Sequence, residues 1–241
     1  MSMRQRATIL SNREIAKATM EMKVRIGDGT IAPGTFFHVK TSELLRRPLS
    51  VANVEADVVT FLYKVVGTGT AELATRRAGD ELDVLGPLGN GFPLAKDGKR
   101  VVLVGGGIGV PPLYYTRRML AARGIETVAI LGFDSEASVF YEDEFRELGE
   151  TIITTVDGSY GERGFVTGPL ARIDADVLFS CGPEPMLKAV AASHIEERYI
   201  SIENRMGCGI GACFACVCKA PDGYVKVCSD GPVFRAEEVT L

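Results

Sequence analysis

The hydrophobic pattern of this chain changes near residue 97, and this change constrains the fold more than any other feature. Before it, short runs of β-type composition are separated by turns that contain glycine or proline. These runs are Arg6–Leu10, Ala18–Ile26, Thr35–Val39, Asp57–Val66 and Glu81–Leu85. Short strands with such turns are typical of an antiparallel barrel or sandwich. Residues 1–97 are therefore predicted to form an antiparallel β-barrel that ends near the glycine- and proline-rich segment 86–93.

After the change, continuous apolar runs alternate with segments of helical pattern. The apolar runs are Val101–Val104, Thr127–Leu131, Ile152–Val156, Val177–Ser180 and Tyr199–Ile202. The helix-like segments are Leu113–Arg123, Tyr141–Leu148 and Pro185–Ser193. This alternation predicts a doubly wound parallel sheet over residues 98–202, with a ligand crevice beyond the carboxyl ends of its strands. The expected fold class is thus a multi-domain β plus α/β protein.

Composition and charge exclude several classes of protein. The chain has 241 residues, of which 46% are hydrophobic and 24% charged, as in ordinary globular proteins. A net charge of −4 gives no electrostatic support for nucleic-acid binding. Glycines and prolines interrupt the most apolar stretch, residues 101–115, which is also shorter than the ~20 residues that a membrane-spanning helix needs. We therefore expect a cytoplasmic protein that binds neither nucleic acid nor membrane.

Five of the six cysteines fall between residues 208 and 228. Four of them follow the spacing C-x4-C-x2-C-x11-C, which is the arrangement of plant-type [2Fe–2S] sites. A structural zinc site is the alternative, but zinc ligands usually come as two close pairs. The pattern favours an iron–sulfur cluster in a small C-terminal domain, residues 203–241, and Cys218 is interpreted as a packed thiol. The predicted ligands are Cys208, Cys213, Cys216 and Cys228.

A glycine-rich turn follows the first apolar run of the second part. A strand, a glycine turn and a helix can bind a nucleotide, because the backbone approaches the ligand at a helix N-terminus. Val110 replaces the last glycine of G-x-G-x-x-G, so a plain tight turn is the alternative. A second segment, residues 181–183, follows the apolar run 177–180 and is expected at the same edge of the sheet. Taken alone, Cys181 is more typical of a small buried side chain. The candidate residues are Gly105, Gly106, Gly107, Gly109, Cys181, Gly182 and Pro183.

Residues 132–136, which follow the apolar run 127–131, bear on whether the chain binds NAD or NADP. This segment contains Asp134 and Glu136 but no arginine. An acid at this point binds a ribose 2′-hydroxyl, whereas an arginine suits a 2′-phosphate. The segment leans towards NAD over NADP, and the alternative is that both acids are solvated residues at a helix start.

Four motifs, in this order, resemble the ferredoxin–NADP reductase superfamily over nearly the whole chain. They are R-P-L-S at 47–50, G-P-L-G-N-G-F at 86–92, G-G-G-I-G-V-P-P-L at 105–113 and C-G-P at 181–183. The tail is similar to that of the electron-transfer subunits of type B dihydroorotate dehydrogenases. It reads E-N-R-M-G-C-G-I-G-A-C-F-A-C at 203–216 and K-V-C-S-D-G-P-V-F at 226–234.

This resemblance implies cofactors, partners and site residues. It implies a barrel that binds FAD, an α/β domain that binds NAD as substrate, and one [2Fe–2S] cluster. It also implies a separate catalytic subunit that carries FMN and oxidises dihydroorotate, in a heterotetramer with two copies of each subunit. The residues matched to the family's FAD segments are Arg47, Pro48, Leu49, Ser50, Tyr63, Lys64, Val65, Gly69 and Thr70.

The expected function is the transfer of electrons from the partner's FMN through the cluster and FAD to NAD+ in pyrimidine biosynthesis. The cofactors carry the redox chemistry, so no catalytic side chain is expected. An apolar surface around residues 203–241 is expected to meet the partner. Three alternatives remain open at this point. They are a related reductase subunit of a hydrogenase, sulfide dehydrogenase or transhydrogenase, a redox sensor that regulates a partner, and a structural zinc module.

Overall fold

The first part of the molecule is a closed antiparallel barrel of six strands, in the order β1-β2-β5-β4-β3-β6. The computed structural model describes residues 4–27, 29–94 and 98–241. The strands of the barrel are β1 (Arg4–Ala16), β2 (Thr19–Arg25), β3 (Phe36–Val39), β4 (Arg47–Glu55), β5 (Val58–Lys64) and β6 (Glu81–Leu88). Inward side chains such as Met22, Phe37 and Phe61 fill its interior. The predicted antiparallel barrel is confirmed.

Several features of the barrel differ from the prediction, among them β1, which continues past Leu10 to Ala16. Strand β6 extends to Leu88, because Leu88 pairs with Phe36 of β3, so the segment 86–93 begins within the barrel wall. A short helix, α1 (Thr68–Thr75), follows β5 and was not predicted. Only Gly69 and Leu73 of this helix are buried, so it carries too little apolar periodicity to be recognised in the sequence.

The second part is a seven-stranded sheet in the order β10-β9-β8-β7-β11-β12-β15. Neighbouring strands are parallel except at one edge, where β15 runs antiparallel to β12. The strands are β7 (Val101–Gly106), β8 (Thr127–Phe133), β9 (Thr151–Thr155), β10 (Glu162–Arg163), β11 (Val177–Cys181), β12 (Glu197–Ser201) and β15 (Val233–Arg235). The helices are α2 (Val110–Ala121), α3 (Glu142–Arg146), α4 (Thr167–Leu170) and α5 (Glu184–Ala191).

Alternate residues of β7 face opposite sides of the sheet. Val101 and Leu103 belong to one hydrophobic core, whereas Val102 and Val104 belong to another. Both faces are therefore covered, as expected of a doubly wound sheet. The predicted α/β part is confirmed, and its crevice lies where the parallel strands end.

Polar contacts hold the barrel against the α/β part. The Tyr115 hydroxyl on α2 donates to the carbonyl oxygen of Ile31 at 3.2 Å. The Tyr141 hydroxyl donates to the buried carboxylate of Glu21 on β2 at 2.6 Å. Because these groups are removed from water, their hydrogen bonds specify one arrangement of the two parts.

The tail fits into the notch between the barrel and the sheet. It contains a hairpin of β13 (Val217–Ala220) and β14 (Gly223–Lys226), and then supplies β15 to the sheet. Its buried residues share one core with Phe36 of the barrel and Leu187 of α5. A segment this short cannot enclose a core of its own, so it uses those of its neighbours. The division at residue 202 stays a prediction. Within the described residues, no helix is long and apolar enough to cross a membrane.

Candidate functional site

A cleft of about 700 Å³ opens at the carboxyl edge of the parallel strands. Residues after β7, β8, β9 and β11 line it on one side, and Lys64 at the end of β5 lines it on the other. The cleft therefore lies between the sheet and the barrel. Its position is the one that open α/β sheets use to bind ligands.

The two predicted nucleotide-binding turns meet at this edge. Gly105 at the end of β7 pairs with Cys181 at the end of β11. A Cβ at Gly109 would overlap the carbonyl group of Cys181, and one at Gly106 would lie 2.5 Å from Met186 Sδ. Only glycine lets these segments pack so closely, and the close packing leaves backbone at the surface of the cleft.

Not all of the predicted turn residues reach the surface of the cleft. Gly106, Gly107, Gly109, Gly182 and Pro183 line it. Gly105 and Cys181 lie beneath them, and Cys181 is 1% exposed. Burial raises the pKa of the Cys181 thiol well above its ordinary value, so the thiol stays protonated. These two residues support the turns from below.

Sequence reasoning missed several residues that line the cleft, among them Thr154 and Phe165. Thr154 at the end of β9 lines the cleft, and its buried hydroxyl has no hydrogen-bond partner among the described residues. The Phe165 side chain stands at the rim and is 69% exposed. Neither residue belongs to a sequence motif, because only the return of the chain to this edge makes it part of the site. Asp134, which the sequence did single out, also lines the cleft.

A second site lies at the N-terminus of α1. A Cβ at Gly69 would overlap Arg47 Nε, so the guanidinium lies directly against this glycine. Arg47 Nε is buried and has no hydrogen-bond partner among the residues the structure describes. The Thr70 hydroxyl accepts the N–H of Val66 at 3.0 Å and closes the first turn of the helix. A helix N-terminus beside an arginine favours a phosphate group, so this geometry fits a dinucleotide diphosphate.

The other residues matched to FAD lie on the adjacent strands β4 and β5 or just after β5. Pro48 and Ser50 alternate with Leu49, whose side chain lies in the barrel core. The Tyr63 side chain is also inside the barrel, where burial raises its pKa to about 12 and its hydroxyl donates to Asn12 at 3.0 Å. Leu49 and Tyr63 can therefore offer only backbone atoms to a ligand on the outer surface. Pro48, Ser50 and Lys64 lie on the outer side, Arg47 is half-buried at the start of β4, and Val65 packs against the barrel core.

The four predicted cluster ligands lie together in the tail, and backbone N–H groups point at their sulfurs. The N–H of Cys213 lies 3.3 Å from Cys208 Sγ, and that of Gly211 lies 3.2 Å from Cys228 Sγ. Although burial opposes ionisation of Cys208, backbone N–H groups including that of Ile210 lower the pKa of its thiol to about 6. A thiolate held by backbone donors is suited to metal binding.

The cysteine sulfurs are linked in two pairs. The backbone N–H of Cys213 donates to Cys208 Sγ at 3.3 Å, and that of Cys228 donates to Cys216 Sγ at 3.5 Å. Within residues 4–27, 29–94 and 98–241, no three histidine, cysteine or acidic side chains converge on a single-ion site. Two pairs of cysteines fit a cluster with two irons better than one zinc ion. Cys218 lies opposite Val225 in the β13–β14 hairpin and belongs to neither pair of cysteines.

Large apolar side chains surround the cysteine loop on its outer side. Ile210 is 48% exposed, Phe214 77% and Tyr224 72%. The ammonium of Lys226 lies 4.6 Å from the centre of the Phe214 ring and donates to the carbonyl oxygen of Gly211. The apolar surface expected around the tail is present. Exposed apolar residues of this kind mark interaction sites.

Curated proteins similar to this chain share one description. The family model for the iron-sulfur cluster binding domain of dihydroorotate dehydrogenase B matches residues 203–240. A protein of Shouchella clausii is 51% identical over an alignment of 256 positions, which covers 98% of each chain. A protein of Bacillus pumilus is 50% identical over an alignment of 250 positions, which covers 97% of each chain. Both are named dihydroorotate dehydrogenase B (NAD(+)), electron transfer subunit.

Solved structures share the fold. In the structure of an NADH-dependent reduced ferredoxin-NADP oxidoreductase, a chain that is 28% identical matches with a TM-score of 0.89. The match covers 97% of this chain and 89% of that one. A ferredoxin NADP+ reductase from Neisseria gonorrhoeae, 16% identical, matches over 78% of this chain and 89% of that one with a TM-score of 0.65, which supports the fold alone. With relatives at half identity over nearly its whole length, the chain belongs to the family of electron transfer subunits of dihydroorotate dehydrogenase B.

Proposed function

We propose that this chain conducts electrons from a catalytic partner through a [2Fe–2S] cluster and FAD to NAD+. The observation that carries the proposal is the arrangement of three sites around one barrel. The Arg47 site lies beside α1, the cleft includes Lys64, and the cysteine loop packs against Phe36 on the outer wall. All three places adjoin the same barrel, and from this we infer that groups held there form one route.

The chemistry of the route comes from its cofactors. A cluster exchanges one electron, nicotinamide takes a hydride, and a bound flavin converts between the two. Arg47 and the N-terminus of α1 would hold the FAD diphosphate, while the Ser50 hydroxyl would contact the ring. The turns that contain Gly107 and Pro183 would hold the nucleotide through their backbone. No side chain of this route needs to move a proton as a general acid or base.

The proposed partner is an FMN-containing catalytic subunit that oxidises dihydroorotate, in an assembly with two copies of each subunit. The curated relatives are named electron transfer subunits, and that name implies a separate catalytic subunit. We propose residues 1–97, 98–202 and 203–241 as the FAD, NAD and cluster units, and the cytoplasm as the location.

An anaerobic titration with NADH tests the route within this chain. NADH drives the proposed route in reverse, so it should first bleach the flavin absorption, and the reduced-cluster EPR signal should then rise on the same protein. Reduction of flavin without any EPR signal, in protein that contains two irons per chain, would contradict a connected route.

The nucleotide preference depends on Asp134 at the end of β8. The Asp134→Asn variant is expected to lose selectivity for NADH over NADPH by about 10-fold, because a carboxylate repels the 2′-phosphate. The measurement is the ratio of kcat/KM for dye reduction with the two nucleotides. Asp174→Asn, on an exposed position outside the cleft, is the matched control. An unchanged ratio in Asp134→Asn would place the selectivity elsewhere.

The partner interface depends on the exposed ring of Phe214. The Phe214→Ser variant is expected to weaken assembly by roughly 30-fold, since a buried aromatic anchor contributes about 2 kcal/mol or more. Sedimentation or interferometry with the purified partner gives the dissociation constant. Leu44→Ser removes a side chain that is 91% exposed but lies on the barrel, and should leave assembly intact. Equal effects of the two variants would argue against docking through the cysteine loop.

A further inference from the structure

His38 is a buried side chain that the proposed route does not yet use. It lies on β3 and is 0% exposed, yet neither ring nitrogen has a hydrogen-bond partner among the described residues. Buried polar atoms in folded proteins nearly always have a partner, so an orphaned imidazole requires an explanation. An imidazole carries at least one N–H whatever its protonation state, so His38 offers a free donor.

The surroundings of His38 place this donor between two proposed cofactor sites. Its neighbour Phe37 points into the barrel, so His38 points outward from the wall. Across the sheet it pairs with Pro48 of β4, within the segment matched to FAD. On its other side, the ring lies against Gly209, the residue that follows Cys208.

The contact with Gly209 is face-on. A Cβ at Gly209 would lie 2.8 Å from Cε1, 2.9 Å from Nδ1 and 3.1 Å from Nε2 of the ring. Such similar distances place the glycine over the face of the imidazole. The N–H lies in the ring plane, so a glycine over the face of the ring does not cover it. Gly209 also has a φ of +76°, so both its conformation and this contact exclude a larger residue.

We propose that His38 donates a hydrogen bond from its imidazole N–H to a sulfur of the iron–sulfur centre and thereby raises the reduction potential of that centre. The inference rests on the proposed [2Fe–2S] cluster. Hydrogen bonds to cluster sulfurs are one of the factors that set the potential. A donor stabilises the more negative reduced state, so its removal lowers the potential. Through this bond, the barrel that holds the flavin also adjusts its one-electron partner.

The first test is an EPR-monitored redox titration of the purified holoprotein. In His38→Leu, which keeps the volume but has no N–H, the equilibrium constant for cluster reduction should fall about tenfold, or about 59 mV for one electron. His38→Gln retains an N–H donor and should stay closer to the wild type. The flavin potential should be the same in all three proteins. The proposal is overturned if the equilibrium constant for cluster reduction in His38→Leu stays within twofold of the wild-type value. It is also overturned if only the flavin potential changes.

The second test needs no substitution at position 38. The chain has two histidines, and the other, His194, is exposed. In ¹⁵N-histidine-labelled protein, pulsed EPR of the reduced cluster should detect a nitrogen coupling that survives in His194→Gln. Absence of the coupling, or its loss in His194→Gln, overturns the proposal even if His38 variants fail to fold. Wild-type protein without iron would overturn the proposed cluster itself, which separates the two failures.

Discussion

Replacement of Cys216 by serine is expected to stop electron transfer between the partner and NAD+ while NADH-driven reduction of a dye continues. Cys216 is buried, and its Sγ accepts the backbone N–H of Cys228 in one of the two sulfur pairs. Changes in the outer shell of a metal site already cost about 10–100-fold, so loss of a ligand should lower the partner-coupled rate by at least about 100-fold. The flavin and the cleft are untouched, so hydride transfer should persist.

The neighbouring thiol provides the matched control for this experiment. Cys218 is two residues away, lies in the hairpin and belongs to neither sulfur pair. Cys218→Ser should keep its iron, its EPR signal and its coupled rate. The assays are iron content, the visible and EPR spectra, and both activities of the reconstituted complex. Loss of iron in Cys218→Ser with retention in Cys216→Ser would refute the ligand assignment.

Removal of the Arg47 guanidinium is expected to release FAD from an otherwise folded barrel. A hydrogen bond to a charged group is worth about 1.5–3 kcal/mol, so the Kd of FAD should rise roughly 10- to 100-fold in Arg47→Ala. Fluorescence titration of deflavinated protein measures this constant. Arg77→Ala removes the same charge from an exposed position near α1 and should bind FAD normally.

Gly69→Ala separates the binding role of this site from its structural role. Alanine is the better helix former by about 1 kcal/mol, so the helix itself should be no less stable. Its Cβ would nevertheless overlap Arg47 Nε and displace the guanidinium. FAD affinity should therefore fall while the free energy of unfolding without FAD is unchanged or higher. Normal FAD affinity in both Arg47→Ala and Gly69→Ala would contradict the diphosphate site.

The barrel and the sheet could be predicted because their strands have strong hydrophobic patterns. Runs such as 101–104 are buried on both faces, and Gly106 and Gly109 after them are required by contacts that any side chain would block. Strand β15 could not be predicted, since it has three residues and exists only because it pairs with β12. Helix α1 was missed for the related reason that little of it is buried.

The site divides in the same way. The cysteine spacing predicted the cluster ligands, because metal sites require particular residue types at particular local distances. The resemblance, rather than any local pattern, pointed to Arg47, whose orphaned Nε is visible only in the fold. Thr154 and His38 gave no signal in the sequence. Each becomes part of a site only through contacts with segments that are distant in the sequence. A single threonine or histidine is most often an ordinary core residue.

The proposed role of this chain is to conduct electrons between dihydroorotate oxidation and NAD+. The most direct test of this role is dihydroorotate-dependent NAD+ reduction by the complex isolated natively through a tag on this chain. We expect activity in a complex that contains FAD, FMN and iron. A stable complex that reduces dye with NADH but produces no NADH from dihydroorotate would contradict it, and would assign the conduit to a different donor, such as a hydrogenase or sulfide dehydrogenase.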